Sequence, residues 1–181
     1  LFKPNVKKME KNKDVDSLLW ALRHEKSDVR REAAEALGRI GEPKTIEPLI
    51  KAFTDTNDQV TNSAIEAVGR IGEPAIEPLS RALNRGDWLL QRQAPRALGK
   101  IGSPRAIELL LGAFRTDDWG FQLLLSDVLG QIGERAVEPL IQALKHESIS
   151  IRRGAAMGLG NIRSAKAVEP LVQALKDIDH G

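Results

Sequence analysis

A short motif returns five times along the chain at intervals of 30 or 31 residues. It consists of Leu or Val, then Gly, a polar residue and Ile, and it begins at Leu37, Val68, Leu98, Leu129 and Leu159. A second motif, Ile or Val followed by Glu and usually by Pro-Leu, begins at Ile46, Ile76, Ile107, Val137 and Val168. Repeats of this length predict an array of similar units, each of which packs only on its neighbours.

Each unit contains the apolar spacing of two helices. In one unit the first helix has apolar residues at i, i+3, i+4 and i+7, namely Ile46, Leu49, Ile50 and Phe53. The second helix has a similar face, formed by Val60, Ala64, Ala67, Val68 and Ile71. This periodicity is typical of amphipathic helices. Pro48 marks the start of the first helix, where a missing N–H forfeits no bond, and Gly72 with Pro74 ends the second.

We therefore predict an all-α fold, a right-handed alpha-alpha superhelix in which helix pairs stack into one core. The predicted boundaries are a capping helix in residues 1–14, five repeats in 15–43, 44–74, 75–104, 105–134 and 135–164, and a half repeat or C-terminal cap in 165–181. The motif glycines fall inside the second helices, where glycine is unfavourable, so we expect them to permit close helix crossing. Because the chain begins with Leu and its last unit is half-length, we expect a processed or trimmed piece.

The stretch from Val29 to Gly41, followed by Ile46-Glu47-Pro48-Leu49, resembles the HEAT-like repeat first associated with phycobilisome lyases. The resemblance covers roughly residues 15–176 and implies an armadillo-like solenoid. It implies no particular activity, because similar repeats occur in bilin lyase subunits, hydroxylases, glycosylases and scaffolds. In that family the second helix lines the concave side, so the resemblance implies a binding surface there.

Alignment of the second helices identifies the positions off their packed faces. The candidate partner-binding residues are Arg31, Arg39, Arg70, Arg92, Arg96, Lys100, Leu123, Leu124, Asp127 and Met157. Cations slightly outnumber anions on this surface, although the whole chain carries only +2. Apolar Leu123, Leu124 and Met157 beside a basic row indicate a patch for an acidic or amphipathic segment of a protein partner. The alternative is that the fourth repeat is shifted in register and buries its leucines.

Tryptophan occurs three times, in two kinds of position. Trp88 and Trp119 lie where second helices begin. Either they are binding anchors at the rim of the surface, or they pack as seals between neighbouring turns. Trp20 lies in a first helix and is predicted to belong to the core.

The sequence predicts no catalytic residue, cofactor or metal. It has no cysteine, and no phosphate loop, triad pattern or zinc spacing is present. His24-Glu25 and His146-Glu147 resemble the pairs with which deoxyhypusine hydroxylases bind two irons, but here they follow first helices, and only His180 remains as a third histidine. We interpret both pairs as exposed histidines beside solvated glutamates.

The function favoured is a non-catalytic, protein-binding scaffold. One alternative is nucleic-acid binding of the HEAT-like DNA glycosylase kind, suggested by the basic groove, the tryptophans and Asp127. Another is a bilin lyase-like subunit, suggested by the repeat type. No apolar run approaches the ~20 residues that span a bilayer, and the absence of cysteine suits a reducing compartment, so we expect a cytoplasmic protein without membrane insertion.

Overall fold

The computed structural model describes residues 4–84 and 87–178 of the chain. Within them it forms α-helices and short 3-10 turns, and no β-strand. The helices are α1 Val6–Lys11, α2 Val15–Ala21, α3 Ser27–Ile40, α4 Ile46–Lys51, α5 Asp58–Ile71, α6 Ile76–Asn84, α7 Trp88–Ile101, α8 Pro104–Gly112, α9 Trp119–Ile132, α10 Glu134–Ala143, α11 Ile149–Ile162 and α12 Val168–Ile178. The predicted all-α repeat architecture is confirmed: even-numbered helices are the first helices of repeats, and odd-numbered helices from α3 onward are the second.

The second helices share one length and one kind of end. Each has 14 residues and finishes on the Ile of the recurrent motif. Four are followed by a glycine with positive φ, namely Gly41, Gly72, Gly102 and Gly133. Glycine adopts positive φ without the steric penalty of a Cβ atom, so it ends the helix at low cost. After α11, where the motif is degraded, Arg163 also has positive φ, at 58°.

The first helices begin in two different ways. Pro48 lies in the first turn of α4, as predicted, and a 3-10 turn at Pro43–Thr45 precedes that helix. In contrast, α10 starts at Glu134, which makes Pro139 its sixth residue instead of a starting residue. The α10 helix runs on directly from Gly133, without the 3-10 turn that precedes α4, α6 and α12.

The helices form two compact units, residues 1–101 and residues 102–181. In the first unit α3 packs on α5 and α5 on α7, and the fully buried Leu37, Leu49, Ile65 and Leu79 lie in the core. The short α1 packs on α2 and α3. In the second unit α9 packs on α11, over a core that includes Phe114. No helix of the described ranges is long and apolar enough to cross a membrane.

Motif glycines lie where successive second helices approach most closely. A Cβ atom added to Gly38 would stand 2.6 Å from both Cα and Cβ of Ala67. One added to Gly130 would stand 2.9 Å from Cβ of Asn161. Such distances are too short for carbon atoms in contact, so glycine permits the observed helix spacing. The prediction of close crossing is confirmed at these positions.

Trp20 corrects a prediction, because its side chain is 62% exposed and not part of the core. The face of α2 that is buried carries Val15, Leu18 and Ala21. Trp20 lies off that face, with its ring edge-on to His24 at a centroid distance of 5.9 Å. The apolar character of Trp20 did not predict its burial. The helical spacing of Val15, Leu18 and Ala21 identifies the buried face of α2 instead.

Candidate partner-binding surface

Each second helix presents one row of side chains away from the core, at its first, fifth, ninth and thirteenth positions. A four-residue spacing stays on one side of a helix with about 3.6 residues per turn. These solvent rows are Ser27, Arg31, Glu35 and Arg39 of α3; Asp58, Asn62, Glu66 and Arg70 of α5; Trp88, Arg92, Arg96 and Lys100 of α7; Trp119, Leu123, Asp127 and Gln131 of α9; and Ile149, Arg153, Met157 and Asn161 of α11. None of these side chains is buried. Every predicted site residue lies in a solvent row except Leu124, which is the neighbour of Leu123 and half-buried.

The cations of the α3 solvent row are paired with acids. Arg31 Nη1 lies 2.6 Å from Glu35 Oε1, and Arg39 Nη1 lies 3.9 Å from Glu35 Oε2. Arg39 also donates through Nη2 to Glu10 Oε2 at 2.9 Å, which links the row to α1. The hydrogen bond from Arg39 lowers the pKa of Glu10 below its usual value. Glu10 was not among the predicted residues, and its carboxylate reduces the positive excess expected here.

The α5 and α7 rows are likewise connected by side-chain hydrogen bonds and an ion pair. Arg96 donates to Asn62 Oδ1 and to Gln93 Oε1, both at 2.8 Å, and Lys100 Nζ lies 2.5 Å from Glu66 Oε1. Arg70 makes no hydrogen bond or ion pair with the described part of the chain, and Arg92 is half-buried.

A shallow groove of about 250 Å³ lies between the α3 and α5 rows. Its lining residues include both charges: Glu35, Arg39, Asn62, Ser63, Glu66, Ala67 and Arg70. The second-helix surface of residues 4–101 is therefore charged but locally balanced.

The solvent rows of α9 and α11 are different, because together they expose several large apolar side chains, whereas the α7 row exposes one, Trp88. Trp119 is 55% exposed, Leu123 44% and Ile149 71%. Leu124 and Met157 are half-buried. A shifted register for the fourth repeat is wrong, since the core positions of α9 still hold fully buried Leu125 and Leu129. We refer to Trp119, Leu123, Ile149 and Met157 as the apolar patch.

Sequence reasoning missed one member of the apolar patch, Ile149. It is the first residue of α11, as Trp119 is of α9 and Trp88 of α7. Alignment of helix starts, instead of the central motif alone, would have found it. Trp88 is 64% exposed, so neither Trp88 nor Trp119 is buried as a seal between turns.

A cation and an acid lie in the same two solvent rows as the apolar patch. Arg153 separates Ile149 from Met157 in the α11 row, and it is exposed, with no hydrogen bond or ion pair to any described residue. Asp127 instead accepts a hydrogen bond from Asn161 Nδ2 at 3.1 Å. The patch therefore combines apolar side chains with an available positive charge.

The His-Glu pairs lie in the turns between first and second helices. His24 Nδ1 accepts a hydrogen bond from the N–H of Lys26 at 3.1 Å, and His146 Nδ1 accepts one from Ser148 at 2.9 Å. The prediction that His24 is exposed is wrong. Its side chain is only 8% exposed, because the ring turns inward to accept the hydrogen bond from the N–H of Lys26. No cluster of three or more His, Asp or Glu in the described ranges could hold a metal ion, and His180 lies outside those ranges.

These histidines belong to a pattern of hydrogen bonds that recurs in the turns between first and second helices, which we call the turn lock. Sequence reasoning also missed it. At the same turn position, Asp55 and Thr116 accept the N–H two residues on, at 2.9 and 3.2 Å. Six residues after each turn residue, a side chain donates back to its carbonyl oxygen: Arg30 to His24, Thr61 to Asp55, Gln122 to Thr116 and Arg152 to His146. The His-Glu pairs are thus part of the turn structure.

The sequence profile described as HEAT repeats matches residues 8–69, 47–122 and 113–180, which is nearly the whole chain. The chain belongs to the HEAT-repeat family. Over 64 residues, 34% of its length, this HEAT-repeat protein is 39% identical to the bilin biosynthesis protein PecE of Mastigocladus laminosus. The match spans 24% of that relative, and it agrees with the predicted phycobilisome-lyase type of repeat.

Some solved structures are loosely similar to this chain. The complex of CpcE and CpcF of phycocyanin lyase from Nostoc sp. PCC7120 is similar over 88% of this chain and 69% of that chain, with 22% identity and a TM-score of 0.47. Human deoxyhypusine hydroxylase is similar over 97% of this chain and 77% of its own, with 25% identity and a TM-score of 0.37. Superpositions this loose assign no activity to the HEAT-repeat chain.

Proposed function

We propose that this HEAT-repeat chain is a non-catalytic, protein-binding scaffold, and that its apolar patch anchors a segment of a partner protein. The observation that carries the proposal is the exposure of Trp119, Leu123 and Ile149 on two second helices that pack side by side. Single exposed apolar residues are ordinary, but a cluster on neighbouring helices is typical of an interaction surface. Tryptophan in particular is enriched among residues that dominate binding energy.

The charge beside the apolar patch indicates the chemistry of the partner segment. Arg153 lies between two apolar residues of its row and has no partner in the described chain. An acidic side chain next to apolar anchors would pair with it and fix the orientation of the segment. The partner segment is therefore amphipathic and acidic.

Capture from a lysate of the source cells tests the proposal, at low and high salt, with bound protein and nucleic acid both identified. We expect one stoichiometric protein, retained at high salt because apolar contacts are not screened. The Leu123→Asp, Ile149→Asp double variant should recover at least about ten-fold less of it, since each change removes an apolar anchor. Its melting temperature should change little, because Leu123 is 44% and Ile149 71% exposed in the folded chain.

Trp20→Asp is the matched control, since Trp20 is 62% exposed but lies on α2 instead of the apolar patch. It should capture the partner like the wild type. Equal capture by the double variant contradicts the proposal. Recovery only of nucleic acid that salt releases also contradicts it, and supports the nucleic-acid alternative.

A bilin lyase-like subunit is the second candidate, favoured by the 39% identity to PecE over 64 residues. In that case the chain, alone or with its captured partner, binds a bilin. Titration with a bilin should then induce a circular dichroism band in the visible range. If no such band appears with the chain alone or with the chain and its captured partner, bilin binding by this chain is excluded.

A further inference from the structure

A groove of about 500 Å³ lies between the first helices α2 and α4, within the first unit. From α2 it is lined by Leu19 and Leu22, and from α4 and the turn after it by Pro48 and Ala52. Leu22 is buried and the other three side chains are half-buried. This volume lies within the usual range for sites that bind small molecules, and such sites have mostly apolar linings. We refer to it as the first-helix groove.

Three polar side chains of the lining already have partners inside the protein. Arg30 and Asp55 line the first-helix groove and bind each other through two hydrogen bonds of 2.7 Å. Arg30 also donates to two carbonyl oxygens, and Asp55 accepts the N–H of Asn57. Thr54 donates to the carbonyl oxygen of Lys51 at 3.0 Å. These groups therefore leave little hydrogen-bonding capacity for a ligand.

Two cations of the same lining have no counter-charge. Arg23 and Lys51 are exposed, and neither side chain forms a hydrogen bond or ion pair with the described part of the chain. The carboxylate of Asp55 does not neutralise them, because it is bound to Arg30. The first-helix groove therefore combines an apolar surface with two available positive charges.

Lys51 differs in this respect from the residue at the same position of the next repeat. There, Arg81 of α6 lies 2.6 Å from Glu47 of α4, so that an acid of the preceding first helix pairs with the cation. The counterpart of Glu47 in the first repeat is Asp16, but Asp16 pairs with Lys44 at 3.4 Å. Lys51 is thus left without an acid, and an anion from outside the chain can occupy that place.

We propose that the first-helix groove binds an amphipathic organic acid, a small molecule with an unbranched apolar body and one carboxylate. Its apolar body would lie on the two leucines of α2 and on Pro48 and Ala52, which removes apolar surface from water. Its carboxylate would pair with Arg23 and Lys51, since a guanidinium donates two parallel hydrogen bonds to a carboxylate and an ammonium adds a second charge. This binding is separate from capture of a partner by the apolar patch.

A polypeptide fits the first-helix groove less well than such an acid does. An extended segment would bring its amide groups onto the apolar lining, where Arg30, Thr54 and Asp55 are already engaged, and unpaired amides are costly to bury. A helix satisfies its own amides, but it is about 10–12 Å wide, and one turn of it occupies roughly the volume of the groove. An unbranched apolar chain has no such groups to satisfy.

Isothermal titration of the whole chain with decanoate, below its micelle concentration, tests the proposal. We expect saturable one-to-one binding that weakens as salt is added, because the two cations are exposed to solvent. Decanol lacks the charge and acetate lacks the apolar body, so each should bind at least about ten-fold more weakly. Decyltrimethylammonium has the opposite charge and should not bind.

Two variants locate the binding. The double variant Arg23→Gln, Lys51→Gln removes both charges, and Ala52→Leu fills the space of the apolar body, so each should weaken decanoate binding at least about ten-fold. Arg81→Gln is the matched control, since Arg81 is an exposed cation at the position equivalent to Lys51 but pairs with Glu47. It should bind decanoate like the wild type. All of these variants should keep the helical spectrum of the wild type.

Five results would overturn the proposal. Decanoate fails to bind at millimolar concentration, or it binds the double variant as tightly as the wild type. Decanol or decyltrimethylammonium binds as tightly as decanoate, which would show that charge is not recognised. Binding is lost only in the Leu123→Asp, Ile149→Asp variant, which would assign it to the apolar patch. A short peptide of alternating leucine and glutamate binds more tightly than decanoate and loses binding in the double variant, which would assign the first-helix groove to a polypeptide.

Discussion

Arg30 and Asp55 connect two successive repeats through two hydrogen bonds, from Nε to Oδ2 and from Nη2 to Oδ1, each 2.7 Å long. The same guanidinium donates through Nη1 to the carbonyl oxygens of His24 and Glu25. Asp55 also accepts the backbone N–H of Asn57. The two side chains are only 14% and 11% exposed. This ion pair therefore holds together α3 and the turns that precede α3 and α5.

Asp55→Asn should destabilise the first unit by about 2 kcal/mol, the usual loss when a charge-assisted hydrogen bond is broken at a largely buried site. Urea unfolding followed by circular dichroism measures the change. Asp16→Asn is the control, because Asp16 forms only an exposed pair with Lys44 at 3.4 Å and should contribute less than about 0.5 kcal/mol. Equal losses in both variants would show that the Arg30 pair adds nothing beyond a surface contact.

The same pair predicts a pH dependence. Burial alone raises the pKa of Asp55, but the hydrogen bonds from Arg30 and Asn57 and the charge of Arg30 outweigh it, so this pKa lies below its ordinary value of 3.8. The unfolded chain then takes up the proton at a higher pH than the folded chain does. The stabilisation is complete above the ordinary pKa and is lost as the pH falls through the folded pKa.

The free energy of unfolding of the wild type should therefore exceed that of Asp55→Asn by a constant amount near neutral pH, and the difference should shrink below about pH 4. Urea titrations of both proteins over this range give the measurement. A difference that widens on acidification, or that changes around neutral pH, would contradict the assignment to Asp55.

The repeat period predicted the helices because their determinants are local. The spacing of Val60, Ala64 and Val68 is enough to specify one face of α5, and positive φ at Gly72 specifies its end. The same alignment correctly placed Leu123 in solvent. Contacts between distant residues were not predictable in this way. Glu10 meets Arg39 across 29 positions of sequence, and that pairing depends on how α1 packs.

The turn lock escaped prediction for a different reason. His24, Asp55 and Thr116 have little chemistry in common, yet each presents an acceptor to the N–H two residues on. A search for identical residues cannot detect a position defined by hydrogen-bonding capacity. It led instead to the comparison of His24-Glu25 with metal-binding pairs.

Gly38→Ala should destabilise the protein by roughly 1 to 3 kcal/mol, because the new methyl group would stand 2.6 Å from the backbone of Ala67 and force α3 and α5 apart. Gly160→Ala is the matched variant, at the same helix position but with open space. It should be neutral or stabilise by up to about 1 kcal/mol, since alanine is the better helix former. Thermal unfolding compares the two. A loss of stability in Gly160→Ala comparable to that in Gly38→Ala would argue against helix contact as the cause.

His24→Ala should cost about 1 kcal/mol, because it leaves the N–H of Lys26 without its acceptor. His24→Asp should retain most of that stability, since Asp55 performs the same role at the equivalent turn position. Chemical denaturation gives the free energies. Hydrogen exchange at the Lys26 amide gives the local readout, with protection kept in the aspartate variant and lost in the alanine variant. Equal losses of stability and protection in both variants would mean that the imidazole ring, through its packing against Trp20, matters more than its acceptor nitrogen.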